Sequence, residues 1–253
     1  MSKAAASHRI HFDDVTLGYD KHPAVHHLTG DIGPGTLLAV VGPNGSGKST
    51  LLKGIAGALP LLDGTISRER LLRRAIAYLP QASELDRGFP ATVLDLVSLG
   101  LVDTRGLYGA ITPGDRERMG EALAAVGLQG FAPRPIETLS GGQLQRALFA
   151  RLLLQDARLI LLDEPFNAID DRTVSDLLAV IHRWHGENRT VVAVLHDLEL
   201  VRAHFPDTLL LAREPIAWGE TSTVLTPPNL ARARAMTEAW DDLPSRHEHA
   251  EAA

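Results

Sequence analysis

The 253-residue sequence contains no cysteine, so it can form neither a disulfide nor a thiolate metal site, a usage that suits the cytosol. Lysine is scarce too, with four residues among 25 basic ones, the rest being arginine. That is a composition bias rather than a binding patch. Together with a net charge of −6 it argues against nucleic acid as the main partner. Long hydrophobic runs are also missing. The longest, such as residues 191–195 and 159–162, fall far short of the ~20 residues that span a bilayer. Residues 1–8 lack the apolar core of a signal peptide. A cytoplasmic chain is expected, and any membrane role must come through a partner. Internal repeats and low-complexity linkers are absent, and the length suits one large α/β domain.

What is present is a series of short runs that are apolar throughout: residues 37–41, 76–79, 159–162, 191–195 and 209–212. Strands buried on both faces have this pattern, which predicts a parallel sheet covered by helices. Residues 10–32 are more polar and alternating, and predict antiparallel strands at one edge. Val174, Leu177, Leu178, Ile181 and Trp184 share one helical face behind Asp170 or Asp171 as N-cap. Shorter helices are predicted over residues 92–99, from Pro113 to about residue 126, and from Pro227 to about residue 240. Between residues 89 and 155 the chain reads as helices only. Val93 and Leu96 could face either the core or an outer groove, whereas Phe89, ahead of a proline, favours a groove.

Three motifs carry the chemistry. Gly42-Pro43-Asn44-Gly45-Ser46-Gly47-Lys48-Ser49 follows a predicted strand and, with Thr50, opens a predicted helix, the context a phosphate loop needs. Its backbone N–H groups and the helix N-terminus favour phosphate. Lys48 is expected on the β- and γ-phosphates and Ser49 on Mg²⁺. Asp163-Glu164 ends an apolar strand, where open parallel sheets place their sites. Asp163 is expected to hold Mg²⁺ and Glu164 to act as general base toward water. The third motif, Leu139-Ser140-Gly141-Gly142-Gln143, has Ser140 as N-cap and glycines at a helix start, which is a second anion cradle.

In this order the motifs resemble those of the ATP-binding cassette (ABC) ATPases, over about residues 10–212. The resemblance implies a P-loop NTPase fold, with a mostly parallel sheet, an antiparallel β edge and a helical subdomain. It implies one domain with a core lobe at about 8–88 and 156–225, a helical lobe at about 89–155, and a C-terminal helix and tail at about 226–253. It also implies ATP hydrolysis with Mg²⁺ in a head-to-tail dimer, in which Ser140, Gly141, Gly142 and Gln143 cap the ATP of the second copy. By the same resemblance Gln81 meets Mg²⁺ or the attacking water, His196 meets the γ-phosphate and Tyr19 stacks on adenine. The residues alone leave His196 equally open to capping the next helix and Tyr19 to packing. Asn167, Ala168, Ile169 and Asp170 occupy the loop that crosses the dimer interface, with Asn167 where Ser is usual.

Residues 86–101, 148–155 and 194–198 resemble the ATPase subunits of bacterial zinc and manganese importers, and residues 189–197 before Phe205-Pro206 point to zinc first. A polytopic permease that holds the chain at the inner face of the cell membrane, and indirectly a periplasmic or surface solute-binding protein, are the implied partners. A ferric-siderophore or cobalamin-type importer and a soluble assembly ATPase are the alternatives. A non-hydrolysing nucleotide-gated module is disfavoured by Glu164. His22, His26, His27, His247 and His249 read as solvated surface histidines rather than ligands for the cargo.

Overall fold

Strand β1 (Ile10–Tyr19) buries Ile10, Phe12, Val15 and Leu17, an alternation that slips by one residue in the middle. Asp14 absorbs the slip in a left-handed conformation, φ 46°, where the strand register shifts, so that Val15 returns to the buried face. In the computed structural model, residues 9–20, 22–69, 71–81, 88–106, 109–167 and 169–241 are described. Strand β1 pairs antiparallel with β2 (His22–Ile32) and with β4 (Leu61–Arg68), in a sheet of its own.

The larger sheet contains β3 (Leu37–Val41), β5 (Ile76–Leu79), β6 (Leu159–Asp163), β7 (Thr190–Val194), β8 (Asp207–Ala212) and β9 (Glu214–Glu220), in the order β5-β6-β7-β3-β8-β9. Every neighbouring pair is parallel except β8 with β9. All five predicted apolar runs are strands of this sheet. Alternation explains why they are apolar at every position. Leu37, Ala39 and Val41 enter one core, and Leu38 and Val40 enter the other. Each leucine or valine side chain removed from water contributes about 1.5–3 kcal/mol.

The second core is closed by the antiparallel sheet and by α1 (Lys48–Ala56), through Leu51, Leu52 and Ile55. The first is closed by α6 (Asp171–Gly186) and by a helical lobe in which α2 (Val93–Ser98), α4 (Pro113–Ala125) and α5 (Gly141–Gln155) supply the buried side chains and the short α3 (Val102–Arg105) supplies none. Capping boxes start α2 at Thr92/Asp95, α4 at Thr112/Asp115 and α5 at Ser140/Gln143. Asp170 caps α6. Phe149 of α5 stacks on Trp184 of α6 with ring centroids 5.7 Å apart, which joins lobe to core. Short helices α7 (Leu198–His204) and α8 (Thr221–Val224) precede α9 (Pro227–Asp241), which packs on β8 and β9. Val93 and Leu96 are core residues, while Phe89 is 65% exposed. Among the described residues, no helix is long and apolar enough to cross a membrane.

Candidate functional site

The buried strand β3 ends at Val41 and hands the chain to the 42–47 loop, whose last residue, Gly47, caps α1 at φ 91°. A Cβ there would run into the Ala24 carbonyl of β2, so glycine is required both for the conformation and for the approach. The Lys48 ammonium curls back on the loop. It donates to the carbonyls of Gly42 at 3.0 Å and Pro43 at 2.7 Å, with Ser46 Oγ at 3.5 Å. Burial pushes it below its ordinary pKa, and the negative charges of Glu164 and Asp163 pull it back up.

Strand β6 delivers the carboxylates. Asp163 is buried, and its Oδ1 accepts the Ser49 hydroxyl at 2.9 Å, while the Tyr78 hydroxyl lies 3.4 Å from its Oδ2. Glu164 follows in a left-handed conformation, φ 49°, its side chain only 14% exposed. Its Oε1 accepts His196 Nε2 at 2.7 Å, and its Oε2 accepts Gln81 Nε2 at 2.7 Å and Asn167 Nδ2 at 3.2 Å. The capping role left open for His196 belongs to Asp197, which accepts from the Glu199 and Leu200 amides at the start of α7.

These groups border one open cleft of about 840 Å³, lined by Ala24, the 44–50 loop, Gln81, Glu164, Asn167 and His196. The size falls within the ~300–1,000 Å³ usual for small-molecule sites. The cleft offers backbone and helix-terminus donors at one end and a donor-bound carboxylate at the other. That arrangement suits a phosphate ester held near a water. Ser49 Oγ and Asp163 Oδ1 form a hard oxygen pair of the sort Mg²⁺ takes. Gln81 donates through Nε2 to Glu164, which leaves its carbonyl oxygen for the same ion. The residues therefore fit the group.

Tyr19 ends β1, is 48% exposed and does not line the cleft. Ser140, Gly141, Gly142 and Gln143 lie apart from it as well, as the capped start of α5, with Ser140 Oγ accepting from the Gln143 amide at 3.2 Å. This turn packs by Gly142 against the 170–173 cap of α6, so the two expected interface segments adjoin. Asp170 accepts both the Thr173 amide at 2.9 Å and its hydroxyl at 2.8 Å, which hold its carboxyl below the usual range. Ile169 packs on the first core. Ala168 lies outside the described residues, as do His247 and His249. His27 pairs with Asp14 at 2.8 Å, which raises its pKa, and His26 is lowered by burial. Asn167 and Ala24 line the cleft and Tyr78 meets Asp163, placements to which residue spacing does not point.

The family model described as "ABC transporter" matches residues 25–167. The chain is 39% identical over 239 residues to the zinc transport system ATP-binding protein TroB of Treponema pallidum, covering 91% of this chain and 88% of that one. It is 40% identical over 218 residues to the manganese transport system ATP-binding protein MntB of Listeria monocytogenes, covering 84% and 90% respectively. Among solved structures, an ABC transporter in an inward-facing conformation superposes with a TM-score of 0.79 at 30% identity, covering 90% of this chain and 89% of that one. A nucleotide-free ATP-binding cassette matches with the same TM-score at 19% identity, a likeness of fold alone.

Proposed function

The chain belongs to the ABC transporter family, and from that membership we propose that it is the ATP-hydrolysing subunit of an importer for divalent transition metals, zinc first and manganese second. The observation that carries hydrolysis is the Glu164 carboxylate, held by His196, Gln81 and Asn167 at the edge of the phosphate-loop cleft. The relatives named for zinc and manganese transport carry the choice of cargo.

The phosphate-loop amides and Lys48 bind the phosphates of ATP. Lys48 exchanges its two loop carbonyls for phosphate oxygens, a transfer that its buried position favours. Ser49, Asp163 and the Gln81 carbonyl would hold Mg²⁺, which when bound would supply positive charge beside the phosphates. Glu164 takes the proton of the attacking water as that oxygen bonds to the γ-phosphorus and the bond to the β-phosphate oxygen breaks. His196 and Gln81 fix the Glu164 oxygens and so the direction from which water is activated. Tyr19, half exposed at the end of β1 and outside the cleft lining, is assigned the adenine ring by family position alone.

Two copies work head to tail, with residues 140–143 of each closing on the nucleotide of the other, and residues 167–170 crossing between them. The adjacency of Gly142 to the α6 cap supports this, since both segments then present one surface. A separate polytopic permease recruits the dimer to the inner face of the membrane, supplied by a solute-binding protein outside. The core lobe, helical lobe and C-terminal helix, divided near residues 88, 155 and 225, act as one domain.

The test is metal content of a deletion strain grown under chelation. Loss of zinc accumulation, with manganese affected second, is expected. Unchanged zinc and manganese together with lost ferric-siderophore uptake would transfer the assignment to a siderophore importer.

A further inference from the structure

The guanidinium of Arg151 sits in the seam between the lobes with its Nε fully buried and without a hydrogen-bond partner among the described residues. Its Nη2 donates to the backbone carbonyl of Tyr78 at 2.9 Å. Tyr78 lies on β5 opposite Leu161 of β6. Alternation puts Leu161 and Asp163 on the same face of β6, and the Tyr78 hydroxyl accordingly reaches Asp163 Oδ2 at 3.4 Å. The other oxygen of Asp163 accepts Ser49. Tyr78 therefore touches α5 through its backbone and the cation-binding carboxylate through its side chain.

Gly100 approaches the same turn of α5, where a Cβ would run into the Arg151 carbonyl. Other ties of α5 lead elsewhere: Arg146 to Thr173 and Asp176 on α6 and to the Val126 carbonyl after α4, Leu154 through its carbonyl to Arg118 on α4, and Phe149 to Trp184 on α6. Among these, only Arg151 leads to the nucleotide carboxylates.

We propose that Tyr78 and Arg151 are positioning residues that tie the orientation of α5, and with it Ser140 at its N-terminus, to the state of the Ser49–Asp163 pair. The proposal rests on the reading of that pair as the Mg²⁺ seat. At 3.4 Å the Tyr78–Asp163 contact is long for an O–H···O bond, so a shift of a few tenths of an ångström makes or breaks it. A shift of the carboxylate passes through the Tyr78 ring to its carbonyl and through the guanidinium to a 15-residue helix. Ser140 lies eleven residues from Arg151, roughly 16 Å along the axis, so a small tilt at the anchored end displaces the capping end. Arginine suits the anchor because its planar fork is rigid, whereas lysine offers a flexible point charge.

The Tyr78→Phe variant removes only the hydroxyl and keeps the carbonyl that Arg151 grips. Expected are an unchanged melting midpoint and unchanged ATP binding without Mg²⁺, a kcat lowered about three- to tenfold, and a higher Mg²⁺ concentration at half-maximal ATPase. Arg151→Lys should weaken ATP-driven dimerisation in a Glu164→Gln background. The double variant should be no worse in kcat than the more affected single one, because both act on one link. Wild-type Mg²⁺ dependence and kcat in Tyr78→Phe overturn the link, and so do effects of the two changes that simply multiply. If Arg151→Lys does not fold, the Mg²⁺ dependence of Tyr78→Phe decides alone. A wild-type chain that hydrolyses no ATP with Mg²⁺ overturns the functional reading instead, which keeps the two failures apart.

Discussion

His196 Nε2 donates to Glu164 Oε1 at 2.7 Å, and this bond joins the loop after β7 to the end of β6. With Gln81 and Asn167 on the other oxygen, donors from three segments converge on one carboxylate. Glu164 stands at φ 49°, a left-handed conformation that costs a non-glycine residue on the order of 1–3 kcal/mol. It persists because the strand end and these hydrogen bonds over-determine it.

Glu164→Gln keeps shape and hydrogen-bonding size but cannot take a proton. ATP binding should survive while turnover falls by about 10²–10⁴-fold. Removing a negative charge opposite the γ-phosphate should also trap the ATP-bound dimer, visible as an earlier peak in size exclusion with ATP. Lys48→Ala should instead lose ATP binding itself. Turnover near the wild-type rate in Glu164→Gln would falsify the general-base role.

Much of this was legible in the sequence. The five parallel strands could be read because both of their faces are buried, so residues 37–41 or 159–162 are apolar without interruption. Strand β4 was not, because it is half-buried and carries Asp63, Gly64 and Arg68. Strand β9 opens with Glu214-Pro215 and pairs on one side only. Helix α7 buries only Val201 fully and leaves little periodicity to read. At the site, the phosphate loop and Asp163-Glu164 are local patterns and were found directly. The gathering of Gln81 and His196 on Glu164 was not readable, since 83 and 32 residues separate the partners. Asn167 was placed by family position at the dimer loop. The hydrogen bond from its side-chain amide to Glu164 depends on the turn that follows β6, which no residue spacing encodes.

Ser140→Arg tests whether the 140–143 turn serves a second copy's nucleotide. The turn does not line its own cleft, so ATP binding to the monomer should be unaffected while hydrolysis and ATP-driven dimerisation fall at least tenfold. Mixing Ser140→Arg with Lys48→Ala subunits should restore at most one working site per dimer. Normal hydrolysis by the single Ser140→Arg protein is incompatible with the head-to-tail arrangement.

Asp115 gives a pH signature for the helical lobe. Its carboxylate accepts the Thr112 hydroxyl at 2.7 Å, the Thr112 amide at 3.0 Å and Arg105 at 3.0 Å, and these hold its pKa down from 3.8 to about 2. A depressed folded pKa means stabilisation that is complete above pH 3.8 and is lost as pH falls toward 2. Wild-type melting midpoints should therefore fall more steeply between pH 4 and 2 than those of Asp115→Asn, with wild type the more stable at pH 6. Parallel curves across that range would show that the box contributes no charged-state stability.

Phe89 separates the role of the lobe surface from that of its core. Helical spacing left Val93 and Leu96 open to either, and both prove buried, whereas Phe89 is 65% exposed just beyond the Gln81 segment. A large apolar ring held in solvent, eight residues along the chain from Gln81, suits a surface that receives a partner. In the proposed transporter that partner is the permease, and movement of the Gln81 segment on ATP closure would pull on it. Phe89→Asp adds a charge at an already exposed position, so the melting midpoint and the ATPase of the isolated subunit should stay within about twofold of wild type. Metal uptake should fall to the level of the deletion strain, because a carboxylate in an apolar contact loses its water without gaining a partner. The measurement is chelator-limited growth and zinc content of the deletion strain carrying the variant, beside the ATPase of the purified chain. Full uptake with Phe89→Asp would move the permease contact elsewhere on the lobe, and a collapsed ATPase would mean that the ring supports the Gln81 segment rather than a partner.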